Sequence, residues 1–153
     1  ANEIRYEETD TEDAEIVTEA GGLESHGALD AIDAARGAWE NLGGGASMYV
    51  EATRALVAVD VNTGNDTSFA AGLKANLAAA KALPRALRVR GLGGQIVMDV
   101  APMPKKDRRT FESALRAAFK TDTEETTLVG WTTLGLFELQ RKRGRVALSE
   151  VLK

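Results

Sequence analysis

The sequence contains no cysteine and a single histidine, His26. The first absence excludes disulfides, thiolate zinc sites and cysteine nucleophiles, and the second excludes a His-rich metal site. No apolar run approaches the roughly eighteen residues of a membrane span. Nothing near the first residue reads as a basic-then-apolar signal peptide, so the chain is expected in the cytoplasm and not at a membrane. What remains for chemistry is carboxylates, amides, hydroxyls and a metal ion they could hold.

A chain of 153 residues with 44% apolar and 27% charged side chains is expected to form one domain with its own core. The net charge of −4 is unevenly spread: residues 1–15 carry seven acids against Arg5, a net of −6, which leaves the rest at about +2. Residues 1–27 therefore read as an acidic, partly disordered segment, 28–145 as the α/β domain and 146–153 as a tail. The opening residue is Ala, not Met, which suggests a piece of a longer protein. Between Arg85 and Arg145, thirteen Lys and Arg face seven Asp and Glu, an excess that suits either a polyanion or an ordinary solvated surface.

Periodicity predicts a helix over Ala28–Leu42, stopped by Gly43-Gly44-Gly45. Strands follow at Ala46–Glu51 and Arg54–Val61, split by a polar break at Ala52-Thr53 that suits a hairpin. The second is almost wholly apolar, as in a central strand covered on both faces. Ser68–Ala82 reads as a helix with Asp66 or Thr67 as N-cap, and Pro84 is expected to kink or restart it on the way to Gly91. Gln95–Val100 is a strand that Ala101-Pro102-Met103-Pro104 cannot extend, Lys105–Lys120 an amphipathic helix with Phe111, Leu115 and Phe119 on one stripe, and Thr126–Thr132 a further strand. Gly135–Arg143 is a helix or a strand. The fold class is α/β, a single domain with a mixed β-sheet flanked by helices.

Ligands of such sheets gather beyond the carboxyl ends of parallel strands. There stand Asp60, closing Ala58-Val59-Asp60-Val61-Asn62-Thr63-Gly64, and Asp99, closing Gln95-Ile96-Val97-Met98-Asp99. Paired carboxylates suit Mg²⁺, which takes one or two of them together with waters and substrate phosphates. Asn62, two residues from Asp60, projects to the same side and is placed to orient that carboxylate through a hydrogen bond. The plainer alternative is that each residue caps its own loop. Neither turn carries a Gly-x-Gly-x-x-Gly or Walker pattern, which disfavours a nucleotide-binding domain.

Four blocks in sequence carry a resemblance: Thr53–Gly64, Asn76-Leu77-Ala78-Ala79-Ala80, Arg85–Asp99 and Leu134–Arg143. In order and spacing they are similar to the ribonuclease E/G family over residues 43–145. The resemblance implies a DNase I-like catalytic subdomain in which Asp60 and Asp99 bind Mg²⁺ and Asn62 hydrogen-bonds within the site. It implies hydrolysis of phosphodiesters in single-stranded RNA by a metal-activated water, leaving a 5′-phosphate and a 3′-hydroxyl. Arg141, Lys142 and Arg143 fall on a family block and are the leading candidates for RNA contact, with Arg85, Arg88, Arg90, Lys105, Lys106, Arg108 and Arg109 as further cations. Trp39, Trp131 and Phe137 either stack on bases or belong to the core.

The sequence also departs from the family pattern. Asp99-Val100-Ala101-Pro102-Met103 lacks the second acid of Asp-Phe-Ile-Asp-Met, Thr133 stands where an arginine is usual, and Gln140 replaces a Ser or Thr. The zinc-linking Cys-Pro-x-Cys motif is absent, so a monomer or weak dimer without a zinc link is expected. An excised fragment or a reduced paralogue is therefore expected, with a weak or inactive RNA-binding or assembly domain as the alternative.

Overall fold

The computed structural model describes residues 16–152, so the acidic residues 1–15 lie outside the described part. Within it, residues 16–32 form a small unit carrying helix α1 (Gly22–Ser25) and the start of α2 (Ala28–Arg36). The larger unit, from Asp33 onward, contains a six-stranded mixed sheet.

The sheet is built from β1 (Trp39–Gly43), β2 (Ala46–Ala52), β3 (Val57–Asn62), β4 (Gly94–Asp99), β5 (Thr126–Trp131) and β6 (Phe137–Arg141), in the order β1-β2-β3-β4-β6-β5. Only β3 and β4 pair in parallel, with the long helix α3 (Phe69–Arg90) as the crossover between them. A parallel pair requires such a crossover, and the Ala- and Leu-rich sequence from Phe69 supplies it. The remaining pairs are antiparallel. Helix α4 (Arg108–Phe119), entered through a single 3₁₀ turn at Lys105–Asp107, packs beside α3, and a short α5 (Leu148–Val151) lies near the end of the chain.

Four local expectations are corrected. The helix expected to reach Leu42 stops at Arg36, and Trp39–Gly43 is instead an edge strand. Gly43, Gly44 and Gly45 all have positive φ, so the triplet makes a hairpin turn into β2 instead of a helix stop. Pro84 neither breaks nor restarts α3, because Ala79, Ala80, Leu83, Ala86 and Leu87 on both sides of it are buried. Packing on that scale outweighs one missing backbone hydrogen bond. The N-cap of α3 is Ser68, whose hydroxyl accepts from the Ala71 N–H at 3.2 Å. Asp66 sits two residues earlier and accepts from the Ser68 N–H at 3.0 Å, and that bond, helped by the Ser68 hydroxyl, holds its carboxyl below the ordinary range. Gly135–Arg143, left open between helix and strand, contains β6.

The core lies on one face of the sheet. Met48, Val50, Val57, Val59, Val61, Ile96, Met98, Phe137 and Leu139 meet Ala79, Leu83, Leu87, Phe111 and Leu115 from the two helices. The alternate residues of the same strands are exposed or half-buried, so β3 is covered on one face and not on both as its apolar run suggested. Period-two alternation separates Ala58, Asp60 and Asn62 from Val57, Val59 and Val61.

Candidate metal and RNA site

Asp60 and Asp99 are register partners across the parallel β3–β4 pair. Partners in a sheet project to the same face, and adjacent strands lie about 4.8 Å apart, so the two carboxylates stand side by side. Both are exposed, on the face that the helices leave open. Among the described residues neither carboxylate forms an ion pair or a side-chain hydrogen bond. Asn62 is exposed on the same face and opposes Ser47 of β2. No hydrogen bond joins it to Asp60 among the described residues. Two residues along an extended strand span about 6.6 Å, which leaves the short amide facing the same space as the carboxylate without touching it.

The loops beyond these strands are fixed from the helix side. Gly64, with φ +76°, turns the chain after β3 so tightly that a methyl there would overlap the Gly45 carbonyl oxygen. After β4, the fully buried Asn76 of α3 donates from Nδ2 to the Ala101 carbonyl and accepts from the Ala101 N–H through Oδ1, both at 2.8 Å. The amide thus pairs with the N–H and the carbonyl of one residue, as a neighbouring strand would. One turn earlier in α3, Gly72 lets the Pro102 carbonyl approach to where a Cβ would sit. Asp99 is therefore followed, two residues on, by a backbone unit clamped to α3. In the sequence Asn76 falls within one of the family blocks, with no role of its own marked by its neighbours. A polar residue among the apolar positions of a buried helix face was the signal that could have singled it out.

The expected RNA-contacting cations separate into two groups. Arg141 is buried: its guanidinium donates to both carboxylate oxygens of Asp122, at 2.7 and 3.0 Å, and to the Leu92 carbonyl at 2.8 Å. Its guanidinium is thus held within the fold and not at the exposed surface. Burial opposes the charge of Asp122, but the hydrogen bonds and positive charge of Arg141, with Arg88 and the Thr123 N–H, hold its carboxyl below the ordinary range. Arg88 reaches the same carboxylate at 3.3 Å, and Arg90 is buried against Glu40 at 2.6 Å and the carbonyls of Gly37 and Ala86. Lys142 and Arg143 are exposed, as are Arg85, Lys105, Lys106 and Arg109.

The aromatics separate likewise. Trp131, Phe111 and Phe137 form a cluster with centroid separations of 5.1 to 5.7 Å. The Trp131 indole donates to Glu112 at 2.5 Å and lies under the Arg108 guanidinium at 4.4 Å. Trp39, on the edge strand, is exposed.

The family model described as Ribonuclease E/G family matches residues 5–144. The chain belongs to the ribonuclease E/G family. Ribonuclease G of Escherichia coli (strain K12) is 36% identical over 117 residues, covering 71% of this chain and 23% of the relative. Ribonuclease G of Haemophilus influenzae is 34% identical over 136 residues, 83% of this chain and 27% of the relative. Ribonuclease E of Escherichia coli (strain K12) is 36% identical over 112 residues, 69% of this chain and 10% of the relative. This ribonuclease E/G chain therefore spans about a quarter of the ribonuclease G relatives and a smaller share of ribonuclease E.

Within this ribonuclease E/G fold, two adjacent carboxylates, without an ion pair among the described residues, and a nearby amide make a hard-oxygen donor set. Among the described residues no group of three or more His, Cys, Asp and Glu is placed to hold a metal. An all-protein cage is thus absent there, whereas a cation that keeps several waters and takes substrate phosphate as a ligand fits two carboxylates. Among the described residues no helix is long and apolar enough to cross a membrane.

Proposed function

We propose that this chain carries the metal site of an endoribonuclease that hydrolyses phosphodiester bonds in single-stranded RNA. The observation that carries this reading is the register pairing of Asp60 with Asp99 at the carboxyl ends of the parallel strands, on an uncovered face, in a chain of the ribonuclease E/G family. Asp60 and Asp99 would hold Mg²⁺, and Asn62 would accept from or donate to the water or phosphate beside it. When bound, the cation supplies an activated water and neutralises charge that builds on the phosphate in the transition state. The residues of the chain do the rest: the two strands fix the carboxylates against one another, the Asn76–Ala101 clamp fixes the backbone after Asp99, and the open face admits an extended substrate. Lys142 and Arg143 remain as exposed contacts for phosphate, which set affinity and register without reading sequence.

A non-catalytic RNA-binding or assembly domain is the second reading. It is favoured by one observation, the commitment of Arg141 to Asp122 inside the fold, which removes a cation from the substrate path. Mg²⁺-dependent cleavage of a short single-stranded RNA by the chain, compared with Asp60→Asn and Asp99→Asn, decides between them. The enzyme reading expects cleavage that needs Mg²⁺ and is lost in both variants. Absence of cleavage at high Mg²⁺, or cleavage indifferent to both substitutions, overturns it.

A further inference from the structure

Trp39 and Tyr49 are 52% and 42% exposed and face one another across the β1–β2 pair. Tyr49 is the register partner of Asp60, and Asp60 that of Asp99. A single row across four neighbouring strands therefore reads Trp39, Tyr49, Asp60, Asp99, all on the open face. At about 4.8 Å per strand, the aromatic pair begins one strand from the carboxylates and ends roughly 14 Å from Asp99. Directly opposed side chains in an antiparallel pair have Cβ atoms about 5 Å apart, so the two rings form one surface.

We propose that Trp39 and Tyr49 are a stacking platform for bases of single-stranded RNA, which holds the strand so that a phosphodiester a few nucleotides along lies at Asp60 and Asp99. The inference deepens the endoribonuclease reading and rests on it. Charge selects this occupant. The open face around the row carries Glu51, opposite Ala58, and Glu138, opposite Val97, in addition to Asp60 and Asp99. Such a face repels phosphate and acidic partners unless a cation intervenes, whereas the π-face of a base carries no net charge and stacks on any aromatic ring, whatever the sequence. The aromatic pair thus draws the base side of the strand, and the phosphate meets the carboxylates only where a cation neutralises them. β1 is an edge strand, so an extended strand can run over it without meeting another strand. Trp131 and Phe137 do not contribute, because they pack on Phe111.

The test is titration of the 153-residue chain with a fluorescein-labelled twelve-nucleotide oligoadenylate in EDTA, reading anisotropy and tryptophan emission together. Trp39→Leu is expected to weaken binding about 5- to 150-fold and Tyr49→Leu by a similar or smaller factor, the loss of one stacked base each. Trp39→Phe keeps most of the affinity but loses the quench of tryptophan emission that the wild type shows on binding. Binding by Trp39→Leu equal to the wild type, a wild type without quench, or no wild-type binding at millimolar RNA overturns the platform. A shift of the RNA-free chain from dimer to monomer in Trp39→Leu, with RNA affinity unchanged, would make the face a self-interface and also overturn it. The two readings fail separately: cleavage indifferent to Asp60→Asn and Asp99→Asn sinks the metal site while a Trp39-dependent affinity stands, and the converse result sinks the platform alone.

Discussion

The two faces of one sheet are made by the same strands yet do opposite work. In β3, Val57, Val59 and Val61 are buried under the helices while Ala58, Asp60 and Asn62 face outward, and in β4 Ile96 and Met98 are buried while Asp99 is exposed. Apolar burial fixes the register, because a slip of one residue would turn every core side chain to water. Register in turn sets Asp60 beside Asp99 and Tyr49 beside Asp60. The covered face thus aligns the open one, while the open face contributes little to folding. Substitutions on the two faces should therefore dissociate activity from stability.

The largest effect is expected at the carboxylates. On the proposed endoribonuclease reading, Asp99→Asn or Asp60→Asn would remove one ligand from a metal that supplies several kcal/mol of transition-state stabilisation, and should lower the rate of RNA cleavage at least about a hundredfold. Their thermal midpoints should stay near that of the wild type, since exposed substitutions away from packing contacts usually fall within about 0.5 kcal/mol. A large loss of stability in either variant would break the comparison. Met98→Ala, one residue before Asp99 but on the covered face, should do the reverse, losing about 2–5 kcal/mol in chemical denaturation.

The ion pairs beneath the sheet extend the comparison to charge. Asp122→Asn leaves Arg141 buried without its counter-charge, which should cost about 3–5 kcal/mol at neutral pH. The folded carboxyl is held below its unfolded value, so its stabilisation is fully present above about pH 4 and is lost as pH falls through the folded value. Urea unfolding of the wild type and of Asp122→Asn should show a gap that is constant from pH 7 to about 5 and narrows below about 4. A gap that widened on acidification would contradict the assignment.

Strand ends and strand types were legible in the sequence because apolar runs bounded by Gly, Pro and Asn leave few alternatives, and the two aspartates stood at two of those ends. The single covered face of β3 was not legible from its apolar run, because Ala58, half-buried on the open side, counts as apolar like the valines opposite it. The spacing of Trp39 from Ile32 and Ala35 is helical, and only tertiary pairing with Tyr49 makes it a strand residue. The fate of Arg141 was equally hidden. It sits in an Arg-rich run that reads as surface, yet alternation along β6 turns it inward with Phe137 and Leu139 and turns Gln140 out.

Asn76 is where the two faces meet. It is buried with the core, but it holds the backbone N–H and carbonyl of Ala101, two residues past Asp99. Asn76→Leu fills similar volume while leaving the Ala101 N–H and carbonyl without partners, which should cost about 1–3 kcal/mol in denaturant unfolding. If the clamp also sets where Asp99 lies, then at a temperature where the variant is fully folded its cleavage should need more Mg²⁺ for half-maximal rate, with the rate at saturating Mg²⁺ nearly recovered. Asn76→Asp, which keeps the acceptor for the Ala101 N–H but turns a carboxylate towards the Ala101 carbonyl, should show the same shift with a larger loss of stability. An unchanged Mg²⁺ dependence in both variants would confine Asn76 to the core and leave the position of Asp99 to strand register alone.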